Sequence, residues 1–294
     1  MKKFILLILI IISITALIYF LPRTCPLRQQ EKITGKNVIQ DAQLERGLEL
    51  LRIRKDKDAL AIFEKILVTQ PEDLDALWGK AEVARRLREY QQAEKLLNQI
   101  LSNNPSHTSS LISLAYIRYK DDKLDESLKL VREALKQTDI DTRNKALAYM
   151  MLGSINGRRA KKGGFFSKLT YGTQIKNHFL KAKEIAPDLP EVHLGLGTFY
   201  LLAPAIAGGD LNKAVEELEL TVKIAPEFAT PHARLAQAYQ KKGNAEKYNF
   251  HLNRAKELDS ENEVLKEFRD GSQVNLKVSP KRDSSPNEVR TVPN

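Results

Sequence analysis

The side chains able to do chemistry in this chain are few and scattered. Its five histidines, His107, His178, His193, His232 and His251, form no cluster with metal-ligand spacing. The paired carboxylates Asp121-Asp122 and Glu216-Glu217 are the arrangement that shared-proton chemistry would use. They fall on turns or exposed helix faces, where a carboxylate is a solvated surface group, and helical Glu–Lys pairs add only a few tenths of a kcal/mol each. Gly163-Gly164 and Gly208-Gly209 are not phosphate cradles, because neither is followed by the Lys-Ser/Thr that grips a phosphate. These residues predict no enzyme, no cofactor and no metal. Cys25 is the only cysteine, so no intramolecular disulfide can form. Its plainer reading is an inert residue; the sharper one is a disulfide between two chains.

The elements that must position these residues repeat. Pro71 is followed by Pro105 at a spacing of 34, and Pro226 by Ser260 at the same spacing. Before each marker stand a small or apolar residue five back, a large apolar residue eight back and a usually small residue twelve back. The first unit, about 40–73, carries Gly47, Leu50, Ala59, Phe63, Ile66 and Pro71. The second, about 74–107, carries Leu77, Ala81, Ala84, Ala93, Leu97, Ile100 and Pro105; the third, about 108–141, carries Leu111, Leu114, Ala115, Ser127, Val131, Ala134 and Asp139. The sixth, about 229–262, carries His232, Leu235, Ala236, Tyr239, Tyr248, Leu252, Ala255 and Ser260. A fixed period of this length marks stacked helix-turn-helix units. One pair of helices cannot bury its apolar face, so neighbours must stack.

On these residues the chain resembles the tetratricopeptide repeat (TPR) family over about 40–262. The resemblance implies an all-α, right-handed superhelical solenoid of about six helix-turn-helix repeats. It also implies a concave face lined by the first helices. Carried over by register, that face holds Trp78, Glu82, Arg85 and Arg86 in unit two. It holds Ile112, Tyr116, Tyr119 and Lys120 in unit three, then Met150, Ser154, Leu194 and Thr198. Aromatic residues and arginine are the types that anchor interfaces. A groove for an extended or helical peptide is therefore expected, with Trp78, Tyr116 and Tyr119 as apolar anchors and Arg85 and Arg86 for an acidic group. The competing reading is that these residues only complete packing between repeats. His193 and His232 occupy the same bulky slot of the first helix, where packing explains them better than ligation.

Units four and five are longer. Asp139 and Pro187 are 48 apart, and Pro187 and Pro226 are 39 apart. The reading is a turn grown by ten residues near 157–171 and another grown by five near 203–209, projecting side by side. The first carries Arg158, Arg159, Lys161, Lys162, Phe165, Phe166 and Lys168, and the second is apolar. Together they form a candidate surface for anionic headgroups or an acidic, apolar partner patch. The plainer reading is that the phenylalanines tuck back and the charges are solvated.

The net charge is +10, but most of it is peripheral. Residues 1–39 hold +5, residues 271–294 hold +2, and the longer turn of unit four holds +5, leaving the rest of the solenoid at −2. This argues against nucleic acid as a partner. Lys2 and Lys3 precede eighteen uncharged residues, 4–21, a helix of about 27 Å, close to a bilayer core. The segment lacks a good small-x-small cleavage site, so it reads as an uncleaved transmembrane anchor with the N-terminus cytoplasmic and the repeats outside, or periplasmic. Residues 22–37 read as a tether, 38–270 as the solenoid, and 271–294 as a disordered tail. The expected function is a membrane-anchored TPR scaffold for protein–protein interaction or complex assembly at the cell envelope. The alternative is a ligand-binding or accessory subunit of an envelope transport or export system. Expected partners are a protein or peptide, the lipid bilayer through residues 4–21, and a second chain through Cys25 or the solenoid.

Overall fold

The structure is a computed structural model and describes residues 41–268, leaving aside the side chains of 165–169. The expected span at 4–21, the tether at 22–37 and the tail at 271–294 lie outside the described residues. Among the described residues no helix is long and apolar enough to cross a membrane. The chain divides into a unit ending at Glu45 and one from Arg46 onward. Of the first, only residues 41–45 are described, and they are helical. Everything below concerns the second.

Every described element is helical. After α1, over 41–52, come α2 (Asp56–Thr69), α3 (Leu74–Arg86), α4 (Tyr90–Asn103), α5 (Thr108–Lys120) and α6 (Leu124–Lys136). Then follow α7 (Thr142–Lys162), α8 (Phe165–Ile185), α9 (Pro190–Leu202), α10 (Leu211–Ile224), α11 (Ala229–Lys241), α12 (Ala245–Leu258) and α13 over 263–268. Odd and even helices pair as repeats one to six, and α13 closes the stack. Helix starts have local causes. Asp73, Asp141 and Asn244 each accept a backbone N–H three residues on, at 2.9, 2.8 and 3.0 Å. Pro190 sits at the first turn of α9, where its missing N–H costs nothing.

The two helices of a repeat bury different amounts of themselves. The second helices bury one narrow stripe: Ala59, Phe63 and Ile66 in α2, Ala93, Leu97 and Ile100 in α4, Ser127, Val131 and Ala134 in α6. That is the four-then-three spacing of one helix face. The first helices are buried nearly all round, as in α3 from Ala76 to Ala84, because each also packs on the first helices of the next repeats. Phe63 shows how tightly layers meet. A Cβ on Gly47 would lie 2.7 Å from its ring, and one on Gly79 2.5 Å. Phe179 is held in the same way between Gly153 and Gly195.

Arg54, Arg88 and Asp122 have φ of 69°, 65° and 65° and stand at one 34-residue interval, in the turn of repeats one, two and three. Each turn closes with the same bond from the residue that follows to the carbonyl five back: Lys55 N–H to Leu50, Glu89 to Ala84, Lys123 to Arg118. Gly243 fills this place in repeat six.

The extra residues of repeat four do not make a projecting loop. They lengthen both helices to 21 residues, and only Gly163 and Gly164 turn the chain. The reason is compositional: Arg158 to Lys162 are helix formers, and two glycines end the run. In repeat five the extra residues do form a turn. A 3₁₀ turn spans Ala205–Ala207, and Gly208 has φ of 91°. A Cβ on Gly209 would sit 1.9 Å from the Ala203 carbonyl oxygen, so only glycine fits there. Asp210 then caps α10 through the N–H groups of Asn212 and Lys213.

Candidate functional site: an arginine–aromatic cluster

The residues expected to line the groove converge, and most of them face each other. Trp78 is 4% exposed and its Nε1–H donates to Ser113 Oγ at 3.0 Å. The Ser113 hydroxyl donates to Glu82 Oε2 at 3.0 Å. Glu82 is the hub. Arg85 holds it with two bonds of 2.8 and 2.5 Å, and Arg86 Nε adds a third at 3.0 Å. Burial by itself would raise the Glu82 carboxyl, but the charge and hydrogen bonds of Arg85, with Arg86 and Arg143 nearby, hold it well below the usual carboxylate range. Arg86 also donates to Leu51 O at 2.8 Å and Asp56 Oδ1 at 2.6 Å.

Aromatic rings carry the same guanidinium groups onward. Arg85 lies 4.1 Å from the Tyr116 ring centre, and Arg158 lies 3.9 Å from that of Tyr119. The two tyrosines are 6.4 Å apart. Lys120 pairs with Glu263 of α13. Trp78 and Glu82 therefore work first as the packed frame of the cluster, while Tyr116 and Lys120 keep partial exposure.

Besides Ser113, Asp56 and Arg143, three more participants were not expected. Arg54 of repeat one donates to Glu191 Oε1 of repeat five at 2.7 Å and lies 3.7 Å over the Phe228 ring. Burial, reinforced by the charge of Arg86, pushes the Arg54 guanidinium down to about 10 against the pull of Glu191. The signal for Arg54 was present, since it repeats at Arg88 in the period of 34. Nothing in the period points to Glu191 or Phe228, which reach Arg54 only through the curvature of the stack.

Three basic residues of repeat four pair with repeat three. Arg158 Nη1 donates to Tyr119 O at 2.7 Å, Arg159 pairs with Asp125, and Lys162 pairs with Asp122. Lys161 is exposed. The side chains of Phe165 and Phe166 are outside the described part. A surface hollow of about 470 Å³ lies beside this contact, between Leu124, Asp125, Arg159, Lys162 and Tyr171. The cations of this segment thus dock its hairpin on repeat three. The sequence treated the segment as a loop and so had no partner for them.

His193 and His232 do share a slot. His193 Nε2 faces Pro187 O at 2.5 Å, and His232 Nε2 faces Pro226 O at 3.3 Å, each the carbonyl that closes the preceding repeat. Their other nitrogens meet the equivalent second-helix position, Glu217 at 2.6 Å and His251 at 3.0 Å. Among the described residues no three His, Cys, Asp or Glu side chains gather as metal ligands would.

This architecture is an all-α helical-repeat solenoid. The family model described as tetratricopeptide repeat matches residues 44–108 and again 83–143, which covers repeats one to three. Pseudomonas aeruginosa PilF is similar at 16% identity over 81% of this chain and 99% of its own, with a TM-score of 0.44. PilW, a type IV pilus biogenesis factor, is similar at 18% identity over 78% and 98%, with a TM-score of 0.45. Human IFIT1, solved as a dimer with m7Gppp-AAAA, is similar at 20% identity with a TM-score of 0.54. That match covers 74% of this chain and half of IFIT1, and it is a likeness of fold. No curated protein matches the sequence.

Proposed function

We propose that this protein is a membrane-anchored scaffold whose repeats bind a protein or peptide partner at the cell envelope, without catalytic activity of its own. The observation that supports it most is the arginine–aromatic cluster. Arg85 on Tyr116, Arg158 on Tyr119 and the partly exposed Lys120 put cationic and aromatic groups along one surface. These are the residue types that carry interface energy. The anchor is residues 4–21, with the N-terminus cytoplasmic and the repeats outside.

Site-specific photo-crosslinking in cells tests the binding role. A benzophenone at Tyr116 or Lys120 is expected to trap a discrete adduct that the same group at Val68, 82% exposed on α2, does not trap. Equal adducts at all three sites, or none in the cluster, would reject it. The topology is tested separately with Cys25. A membrane-impermeant maleimide should label intact cells and lose its target in Cys25→Ser; labelling only after lysis under non-reducing conditions would put the repeats inside.

A further inference from the structure

Three hydrogen-bonded ion pairs join repeats that are far apart in the chain. Arg54, in the turn of repeat one, meets Glu191 at the start of repeat five at 2.7 Å. Arg88, its equivalent in repeat two, meets Asp259 at the end of repeat six at 2.5 Å. Lys120, ending the first helix of repeat three, meets Glu263 in α13. In each pair the cation comes from repeats one to three and the acid from residues 191–263. The sign of these pairs is one-sided, although each face also holds the opposite charge: Glu82 and Asp56 pair with Arg85 and Arg86 on the first face, and Arg234 stands on the second.

The strength of this closure is uneven. Around Arg54 and Glu191 the side chains are 12% and 13% exposed, but Asp259 and Glu263 are 28% and 57% exposed. Exposed pairs contribute less than about 1 kcal/mol each and are screened by salt. The buried centre is incompletely bonded. Arg54 Nε, Arg86 Nη2 and Glu191 Oε2 are buried without a hydrogen-bond partner, and Arg86 Nη2 stands 3.9 Å from Glu191 Oε1. Buried polar groups left unpaired are costly, and a core built to stay shut would satisfy them. Water or a ligand carboxylate would satisfy the two guanidinium groups on opening.

We propose that these pairs are a latch, and that an acidic peptide segment is the partner that opens it. Its carboxylates replace Glu191, Asp259 and Glu263 at Arg54, Arg88 and Lys120, and the freed cations become the binding surface. The inference rests on the cluster being a peptide site, but its test uses no natural partner. A failed cross-link and a failed opening are therefore distinct results.

The experiment is a spin-label distance measurement across the closure. It uses the full chain in detergent with Cys25→Ser, Glu89→Cys and Lys256→Cys; Glu89 and Lys256 are both exposed. The expected result is one short distance at low salt. A second, longer distance should appear in about 1 M salt, where the screening length is ~3 Å. It should also appear with a glutamate decapeptide at matched ionic strength. Adding Arg88→Glu should favour the longer distance without any peptide, and Arg88→Glu with Asp259→Lys should return the short one. A distribution unmoved by salt, peptide and charge reversal would overturn the latch, since packing alone would then hold the closure. Opening by salt or by an RNA oligonucleotide but not by the peptide would overturn the acidic-peptide assignment.

Discussion

At the scale of the residue, the repeat pattern assigns positions and the neighbours assign roles. His232 and His251 illustrate this. Their Nδ1 atoms are 3.0 Å apart, and His251 stacks on Tyr239 with ring centres 5.6 Å apart. With Nε2–H of His232 directed at Pro226 O, the Nδ1–H of His251 donates to Nδ1 of His232, so His232 is the neutral acceptor of this pair. Burial, then the charge of His232 and of Lys247, pushes His251 down to about 4 against Glu219. His232 is lowered by burial and by Arg254 against its bond to Pro226. An unfolded histidine titrates near 6.5. Between about 6.5 and 4 the unfolded chain therefore takes up protons that the native state refuses, and stability falls as pH falls. Between pH 7 and 4.5 the native chain is expected to lose roughly 2 kcal/mol more than His251→Phe, since each pH unit separating folded and unfolded values is worth about 1.4 kcal/mol. Urea unfolding at the two pH values measures it; parallel losses would show that the pair does not titrate as described.

At the scale of the element, repeat four carries its extra length as helix. The sequence places the added residues between Gly153 and Phe179, where 26 residues separate a pair whose counterparts, Gly47 and Phe63, are 16 apart. It placed them in a turn because the family pattern has no other place for them. Local chemistry decides otherwise, since Arg158 to Lys162 continue α7 and the chain reverses at Gly163-Gly164. A proline at Ala160 separates the two descriptions. In an interior helical turn, Ala160→Pro should cost about 3 kcal/mol. It should also raise amide exchange over 157–171, whereas in a projecting loop it would change neither.

At the scale of the molecule, the contacts that matter most are those the period cannot express. Arg54 and Glu191 are 137 residues apart and are brought together only because four repeats of packing bend the stack. Removing one partner of such a pair leaves the other charge buried, at a cost of about 3–5 kcal/mol. Opening of the closure exposes the orphaned carboxylate and caps that cost, so Arg54→Met should lower unfolding stability by at most that order, and Arg54→Met with Glu191→Leu should recover most of the loss. Equal losses in the single and double variants would mean that the pair is not coupled. The same argument explains the partial legibility of the cluster. Trp78, Glu82, Arg85 and Arg86 could be assigned from register, because one helix face is a local property. That they bond to one another, and that Arg54, Asp56 and Glu191 complete the set, is a property of the assembled stack.

The sequence by itself determined the helical repeats, their phase, the small residues that let helices approach, and the positions of the two added segments. Each follows from spacing along the chain, and a helix needs only neighbours three and four residues away to define its faces. Only the tertiary structure decided which charges are paired, that Arg158, Arg159 and Lys162 of repeat four reach repeat three, and that Arg54, Arg88 and Lys120 meet acids from repeat five onward. The physical reason is that small rotations between successive repeats accumulate along the stack. A few degrees at each interface, set by side-chain packing rather than by the period, decide which distant side chains come within hydrogen-bond reach.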